Sequence, residues 1–378
     1  MYDAIVVGTG PGGSLAALRL AEAGARVLVL EKRRLPRDKA CGGALTVGPV
    51  KALLGWDFSA LVESHVEKSV WQLDFGPAVE RDFDYGAWMV NRRTFDLHIM
   101  ERALERGRGN IELRDGFAVG DVEEDADGVA VTGKSGEKCR ARFIVGADGA
   151  AGRTGAALGI GRRTRPAVAI DAEIEVTPDA WALEGGRMSF NFACVPGGYG
   201  WIFPKNGYLS CGVGSWTRSE GMPGVLDSYL ARALPPGTIV SQQRRGHPIP
   251  IYDGPARIST PRACLVGDAA SLVEPILGEG IRFAMASGAI AADVIGEKLG
   301  GKLADDDGLA HSRRVHREIG RDLDRLRRFV LPIFLRSPET FFRRFLVEEG
   351  NYMALAAELD ARFALPDPFP ASAPSIQS

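Results

Sequence analysis

The sequence predicts an α/β fold: an amino-terminal nucleotide-binding unit, a second sheet inserted into it, and a helical appendage at the end. Three observations predict it. Residues Tyr2 to Glu31 read as strand, glycine turn, helix, strand and acid. A buried strand ending in an aspartate recurs at Arg142–Gly149 and Ala263–Ala270. Between these, residues 165–260 form a block of alternating strands without dinucleotide features.

Tyr2-Asp3-Ala4-Ile5-Val6-Val7 is too short for a helix and rich in β-branched residues, so it reads as a buried strand. It runs into Gly8-Thr9-Gly10-Pro11-Gly12-Gly13, after which Leu15, Leu18 and Leu20 continue at helical spacing to a stop at Gly24. Arg26–Leu30 is then a second strand, ending at Glu31. Gly8 permits the tight turn, Gly10 lets the backbone approach a pyrophosphate, and Gly13 lets the helix lie close to the sheet, with phosphates on the helix N-terminus. Glu31 can accept hydrogen bonds from a ribose diol. A lone GxGxxG is weak evidence, but here every flanking part is in place and a bound dinucleotide is predicted. The motif does not distinguish NAD from FAD.

With 378 residues, the chain is long enough for two joined lobes plus an appendage. Its 45% hydrophobic and 25% charged residues, with a net charge of −2, are ordinary for a globular protein and do not call for nucleic acid. Five scattered cysteines form no CxxC pair and no disulfide framework, and the five histidines are dispersed, so no metal site is expected. Met1-Tyr2-Asp3 leads straight into the first strand, leaving no room for a signal peptide, and no apolar run reaches the ~18 residues of a membrane span. The expectation is a cytoplasmic protein.

Farther along, Lys39-Ala40-Cys41-Gly42-Gly43-Ala44-Leu45 places two glycines after a cysteine, which would let backbone press against a flat ligand; a free cysteine is equally a small buried hydrophobe. Val66–Val90 alternates as strands of the second sheet. Val90-Asn91-Arg92-Arg93-Thr94-Phe95-Asp96 opens a helix running to Gly107, with Leu97, Met100 and Leu104 on its buried face. An arginine at such a helix start can reach a phosphate or form a surface salt bridge, and His98 reads as an ordinary helix residue. Asp127-Gly128 and Ser135-Gly136 are hairpin turns. Asp148 and Asp268 each stand at the carboxyl end of a strand, where ligands of open α/β sheets bind, although either alone could be a helix N-cap.

In the inserted block, Tyr199, Trp201 and Phe203 are two apart and share a strand face, as a core stripe or a ligand wall. Gly198 and Gly200 leave the opposite face bare, for another backbone or a ligand. From Ser312 to Phe345, ten arginines and four acids are interleaved with apolar runs. This suits a cap over an apolar site, a surface resting on an anionic membrane, or an amphipathic packing helix with solvated arginines. Pro366–Ser378, rich in Pro, Ser and Ala, is expected to be disordered.

With Gly267-Asp268 and Val273-Glu274-Pro275-Ile276-Leu277-Gly278-Glu279-Gly280-Ile281, the chain resembles the FAD-dependent oxidoreductases related to aromatic hydroxylases. Their pattern is GD, a proline, then GxGI opening a long helix, here Glu279 to about Leu299. The resemblance implies a Rossmann-type FAD-binding domain with an inserted antiparallel-sheet substrate domain and a C-terminal helical appendage. It puts Pro275, Gly278, Gly280 and Ile281 at the flavin edge, where the helix dipole faces the charge of reduced flavin. Arg92, in an RxxFD match with Phe95 and Asp96, and Asp268 are assigned to FAD. So are Asp148 of the DG motif, Glu31 with adjacent Lys32, and the backbone near Phe117 at the adenine.

Within that superfamily the chain resembles the geranylgeranyl reductases. Lys39-Ala40-Cys41-Gly42-Gly43 looks like their KxCGG loop beside the flavin, with Ala44 next to it. Tyr199-Gly200-Trp201-Ile202-Phe203-Pro204 with Gly212-Val213-Gly214 looks like their YxWxFP…GxG motif. This implies saturation of isoprenoid carbon–carbon double bonds by hydride transfer from reduced FAD. Cys41, Tyr199 and Trp201 would serve the chemistry, and Tyr199, Trp201, Phe203, Pro204 and Gly212 the substrate. The implied FAD domain comprises 1–65, 91–165 and 261–300, the substrate sheet 66–90 and 166–260, the helical region 301–365, and the tail 366–378. No second GxGxxG occurs, so NAD(P)H would visit transiently, or ferredoxin or another protein would donate electrons. The implied substrate is a prenyl-chain lipid or prenyl diphosphate, with peripheral membrane contact allowed. Flavin mono-oxygenases and halogenases are the competing reading. Tyr199 and Phe203 depart from the halogenase WxWxIP motif, and aromatic hydroxylases lack the CGG loop. A non-catalytic prenyl-lipid carrier or electron-transfer flavoprotein is a third.

Overall fold

The computed structural model of the chain describes residues 1–161, 166–218, 220–304 and 307–348. The expected helical stretch 349–365 and the tail 366–378 lie outside the described residues. Two sheets organise the rest. In the seven-stranded sheet, Tyr2–Val7 lies centrally and pairs in parallel with Val27–Glu31 on one side and Lys138–Gly146 on the other. Ile111–Asp115 extends it in parallel beyond Val27–Glu31. Lys138–Gly146 carries the antiparallel hairpin Val119–Glu124/Val129–Gly133 along its first half and the short parallel strand Ala263–Leu265 along its last. Such strands, covered on both faces, are apolar throughout; Val27–Glu31 is buried at every position.

The glycine turn leads into the helix Pro11–Glu22, which packs on the long helix Ile281–Leu299. Their approach is backbone to backbone. A Cβ on Gly12 would strike the Ala284 carbonyl, and one on Gly288 the Gly12 carbonyl.

The second sheet has eight strands, ordered Ile239–Ile249, Ala167–Val176, Leu209–Ser215, Gly198–Pro204, Arg187–Phe192, Val62–Leu73, Val79–Val90 and Ala44–Thr46. All pairs are antiparallel except Arg187–Phe192 with Val62–Leu73. That parallel seam joins two insertions entering from different points in the chain. The sheet also takes in Ala44–Thr46 and starts its next strand at Val62, so it claims residues that the sequence reading left with the nucleotide-binding part.

Two helices, Pro178–Glu184 and Met222–Ala233, interrupt a block read as strands. The second explains the bare face at Gly200: the Tyr229 ring occupies the space a Cβ there would need, while Gly198 faces the backbone of Gly214. Neither space is a ligand's.

From Ala310 to Glu348 the chain is an irregular succession of short helical turns. Its arginines are largely paired, within the segment as in Arg328–Asp324 or to the preceding long helix as in Arg314–Glu297. Its apolar residues, among them Val330, Phe334, Phe341 and Phe345, pack against the aromatic face of the second sheet. No helix among the described residues is long and apolar enough to cross a membrane.

Candidate functional site

One cavity of about 1100 Å³ runs from the glycine turn, past the Cys41 loop, to the aromatic face of the second sheet. That lies at the upper end of the roughly 300–1,000 Å³ of small-molecule sites, as a large cofactor requires.

At the nucleotide end, two helix N-termini line the cavity, those of Pro11–Glu22 and Ile281–Leu299. Neither has a side-chain cap or an acid in its first turn, so both present free N–H groups and the positive end of a dipole. The turn requires its glycine: Gly8 has φ +105°, and a Cβ there would enter the Ala147 carbonyl. A Cβ on Gly10, by contrast, would meet nothing closer than the Arg37 guanidinium at 3.9 Å, which leaves that backbone open to a ligand. These features fit the pyrophosphate of a dinucleotide and the edge of a flavin.

Glu31 is buried and accepts hydrogen bonds from Thr9 N (3.1 Å), Thr9 Oγ1 (2.8 Å), Arg33 N (3.0 Å) and Arg37 Nε (3.1 Å). Burial alone would raise its pKa, but Arg37 and these donors hold the carboxyl below the usual range. Arg37 bridges onward to Asp96 (3.2 Å), which also accepts both arms of Arg92 at 2.7 and 2.9 Å. Arg92 and Cys41 both line the cavity. Asp268 pairs with Lys39 (2.9 Å) and lies 3.8 Å from His247 Nε2, and above all the Lys39 ammonium holds it below the usual range against the upward push of burial. Asp148 uses Oδ2 to accept from Arg153 N, Thr154 N and Thr154 Oγ1, capping the single turn Thr154–Ala157, while its buried Oδ1 has no partner among the described residues. It is thus both a cap and a cavity residue. Lys32, Ala44, Phe117, Gly278, Gly280 and Ile281 line the same cavity; Pro275 does not, and instead accepts at its carbonyl from Trp216 Nε1 at 2.7 Å.

The Cys41–Gly43 loop lies on the aromatic row. A Cβ on Gly42 would sit 2.7 Å from the Phe203 ring, and Gly43 has φ +69° with Val90 O and Lys205 Nζ behind it. The Gly43 N–H donates to Cys41 Sγ at 3.4 Å. Tyr199, Trp201 and Phe203 all line the cavity, with centroid spacings of 6.1 and 6.3 Å. Pro204 and Gly212 do not line it. Gly212 faces Trp201 in the ladder, and the Trp201 indole fills the space a side chain there would need.

Several residues of the site lay outside the sequence expectation: Arg37, Lys39, Trp216, Arg245, His247 and Asp171. Lys39 was visible only as part of the KxCGG loop, not as the partner of Asp268. Behind the loop, Lys205 is 2% exposed and donates to Val90 O at 2.9 Å, and burial brings its pKa down to about 8. In the turn before Ile281–Leu299, the buried Glu274 accepts from Ile276 N (2.9 Å) and Leu277 N, and burial pushes its carboxyl up to about 7. Among the described residues, no group of His, Cys, Asp or Glu is arranged to hold a metal.

A dinucleotide turn, two uncapped helix ends and an adjoining aromatic chamber define an FAD-binding flavoprotein, and residues 1–198 match the family model described as an FAD binding domain. Digeranylgeranylglycerophospholipid reductase 1 of Methanopyrus kandleri is 30% identical over 321 residues, covering 79% of this chain and 81% of that one. Menaquinone reductase of Mycolicibacterium smegmatis is 30% identical over 314 residues, covering 78% and 76%. The chain belongs to the FAD-dependent geranylgeranyl reductase family. A geranylgeranyl bacteriochlorophyll reductase-like protein of Thermoplasma acidophilum shares the fold, with a TM-score of 0.73 at 22% identity over 96% of this chain and 98% of that one.

Proposed function

We propose that the chain saturates isolated carbon–carbon double bonds of isoprenoid chains. The observation that carries this reading is the continuity of the cavity: the dinucleotide end opens, across the Cys41–Gly43 loop, onto an aromatic chamber. Bound, reduced FAD supplies the hydride. An isolated alkene has no polarising group for an oxyanion hole to act on, so the protein's contribution is placement and exclusion of water. Tyr199, Trp201 and Phe203 form the wall that would fix the chain, and Gly42 lets the loop lie close against that wall, where it would face the bound cofactor. Cys41, which accepts from the Gly43 N–H and lines the cavity together with Arg92, is assigned the role of proton relay to the second carbon. Arg92, Asp268 and Glu31 hold the cofactor, and the electron donor is NAD(P)H or a ferredoxin-type protein.

The test is incubation of the FAD-loaded protein, reduced with dithionite under argon, with geranylgeranyl lipids, followed by mass spectrometry. The expected product is heavier by two hydrogens per reduced bond. Hydroxylated or halogenated product formed only with oxygen would transfer the chain to the mono-oxygenase reading, and bound but unaltered lipid to the carrier reading.

A further inference from the structure

The far end of the chamber carries a further inference, resting on the isoprenoid reading above. Along the strand Arg187–Phe192, Met188 and Phe190 line the cavity and Phe192 does not. The neighbouring strand repeats the boundary: Trp71, in register with Phe190, lines the cavity, and Leu73, in register with Phe192, does not. The chamber therefore ends between two successive rows of the sheet.

What closes it comes from the far end of the described chain. Phe192 is fully buried against Phe334 (centroids 6.3 Å), Phe341 (5.6 Å) and Phe342 (6.4 Å). Phe334 meets Phe341 at 5.2 Å, and Phe345 stacks on Phe341 at 5.7 Å. Phe334 also touches the cavity-lining Trp216 at 5.4 Å. The segment is tied down by Arg81, which donates to Val347 O at 2.6 Å. This closure is apolar, its rings packed together with Leu326, Val330 and Leu346, so it stops a ligand by volume and not by a hydrogen bond. A close-packed ring cluster does not yield to one more isoprene unit without displacement.

We infer that Phe192, Phe334 and Phe341 form a plug that sets the longest isoprenoid the chamber accepts, and that Phe334 and Phe341 make the helical region from Ala310 to Glu348 the specificity-determining part of the protein. Removing the Phe334 ring opens space behind Trp216 and lengthens the accepted chain.

The experiment compares wild type, Phe334→Ala and the milder Phe334→Leu, all FAD-loaded. Each is titrated with farnesol, geranylgeraniol and geranylfarnesol, read by tryptophan quenching, and also turned over with the same alcohols after dithionite reduction. Circular dichroism and flavin content establish that each variant is folded. The expected result is that affinity for geranylfarnesol relative to geranylgeraniol rises roughly 10-fold or more in Phe334→Ala, the usual scale for a pocket changed by a methylene or more, with Phe334→Leu between. An unchanged length profile in both folded variants, or equal losses for all three alcohols, overturns the plug. Because binding is read apart from turnover, a length shift without reduced product keeps the plug and sinks the reductase reading. Reduced product with no length shift does the reverse.

Discussion

Trp216 links the two ends of the site, and its replacement by Phe isolates that link. Its ring lines the aromatic chamber, while Nε1 donates to Pro275 O at 2.7 Å in the turn that opens the helix Ile281–Leu299. The same turn is held by Tyr199, whose hydroxyl donates to Leu277 O, and is knit internally by Glu274. Trp216→Phe keeps an aromatic ring and deletes one donor, leaving the Pro275 carbonyl unpaired; such losses cost about 1–3 kcal/mol. With Tyr199 and Glu274 still in place, the lower figure applies. About 1 kcal/mol corresponds to roughly a five-fold weaker Kd for FAD, since about 1.4 kcal/mol is ten-fold. The double variant Tyr199→Phe/Trp216→Phe should lose more than the sum of the single changes, because each tie alone still orients the turn. Apoprotein titrated with FAD at neutral pH, followed by quenching of flavin fluorescence, measures this. Wild-type FAD affinity in the double variant would refute the claim that the aromatic wall positions the turn before Ile281.

Other outcomes follow from single features. Burial holds the Glu274 pKa at about 7 against an ordinary 4.5, so between those values the folded chain keeps a proton that the unfolded chain releases, and stability falls as pH rises through the interval. Glu274→Gln should flatten that slope in urea melts at successive pH values; parallel profiles for the two proteins would sink the assignment. Gly42→Ala places a Cβ 2.7 Å from the Phe203 ring, an overpacking that should cost about 1–3 kcal/mol in urea unfolding, and a cost near zero means the loop does not rest on the aromatic row. Cys41→Ala should retain FAD and slow alkene reduction, and unchanged turnover removes the thiol from the mechanism.

Local chemistry was the legible part. The glycine turn declares itself because Gly8 needs a positive φ and Gly12 and Gly13 face backbone on their Cβ side, constraints carried by single residues. The aspartate at 268 could be read even though its strand is only three residues long, since glycine, acid and the downstream proline and glycines are local too. Long-range polar partners were not legible. Nothing near Lys39 announces Asp268, and nothing near Trp216 announces Pro275, because each pair joins elements far apart in the chain. Gly212 shows a related limit: spacing places it beside the aromatic strand without telling whether the gap serves a ligand or, as it does, the Trp201 indole. The helix Met222–Ala233 did carry a signal, with Met222, Leu226, Tyr229 and Leu230 buried at helical spacing. The strand alternation around it masked that period.

The backbone contact between Gly12 and Gly288 bears on the order of assembly. The glycine turn precedes both insertions in the chain, yet the helix against which it is seated is synthesised after them. Closing a contact over so long a separation is slow relative to local hairpins and helices. During synthesis the unit around the glycine turn therefore waits with its small-residue helix face uncovered, and the contact between Gly12 and Gly288 forms only once the second insertion has been made. A fragment truncated before Ile281 would have the nucleotide motif in full and still lack the surface that holds it in shape.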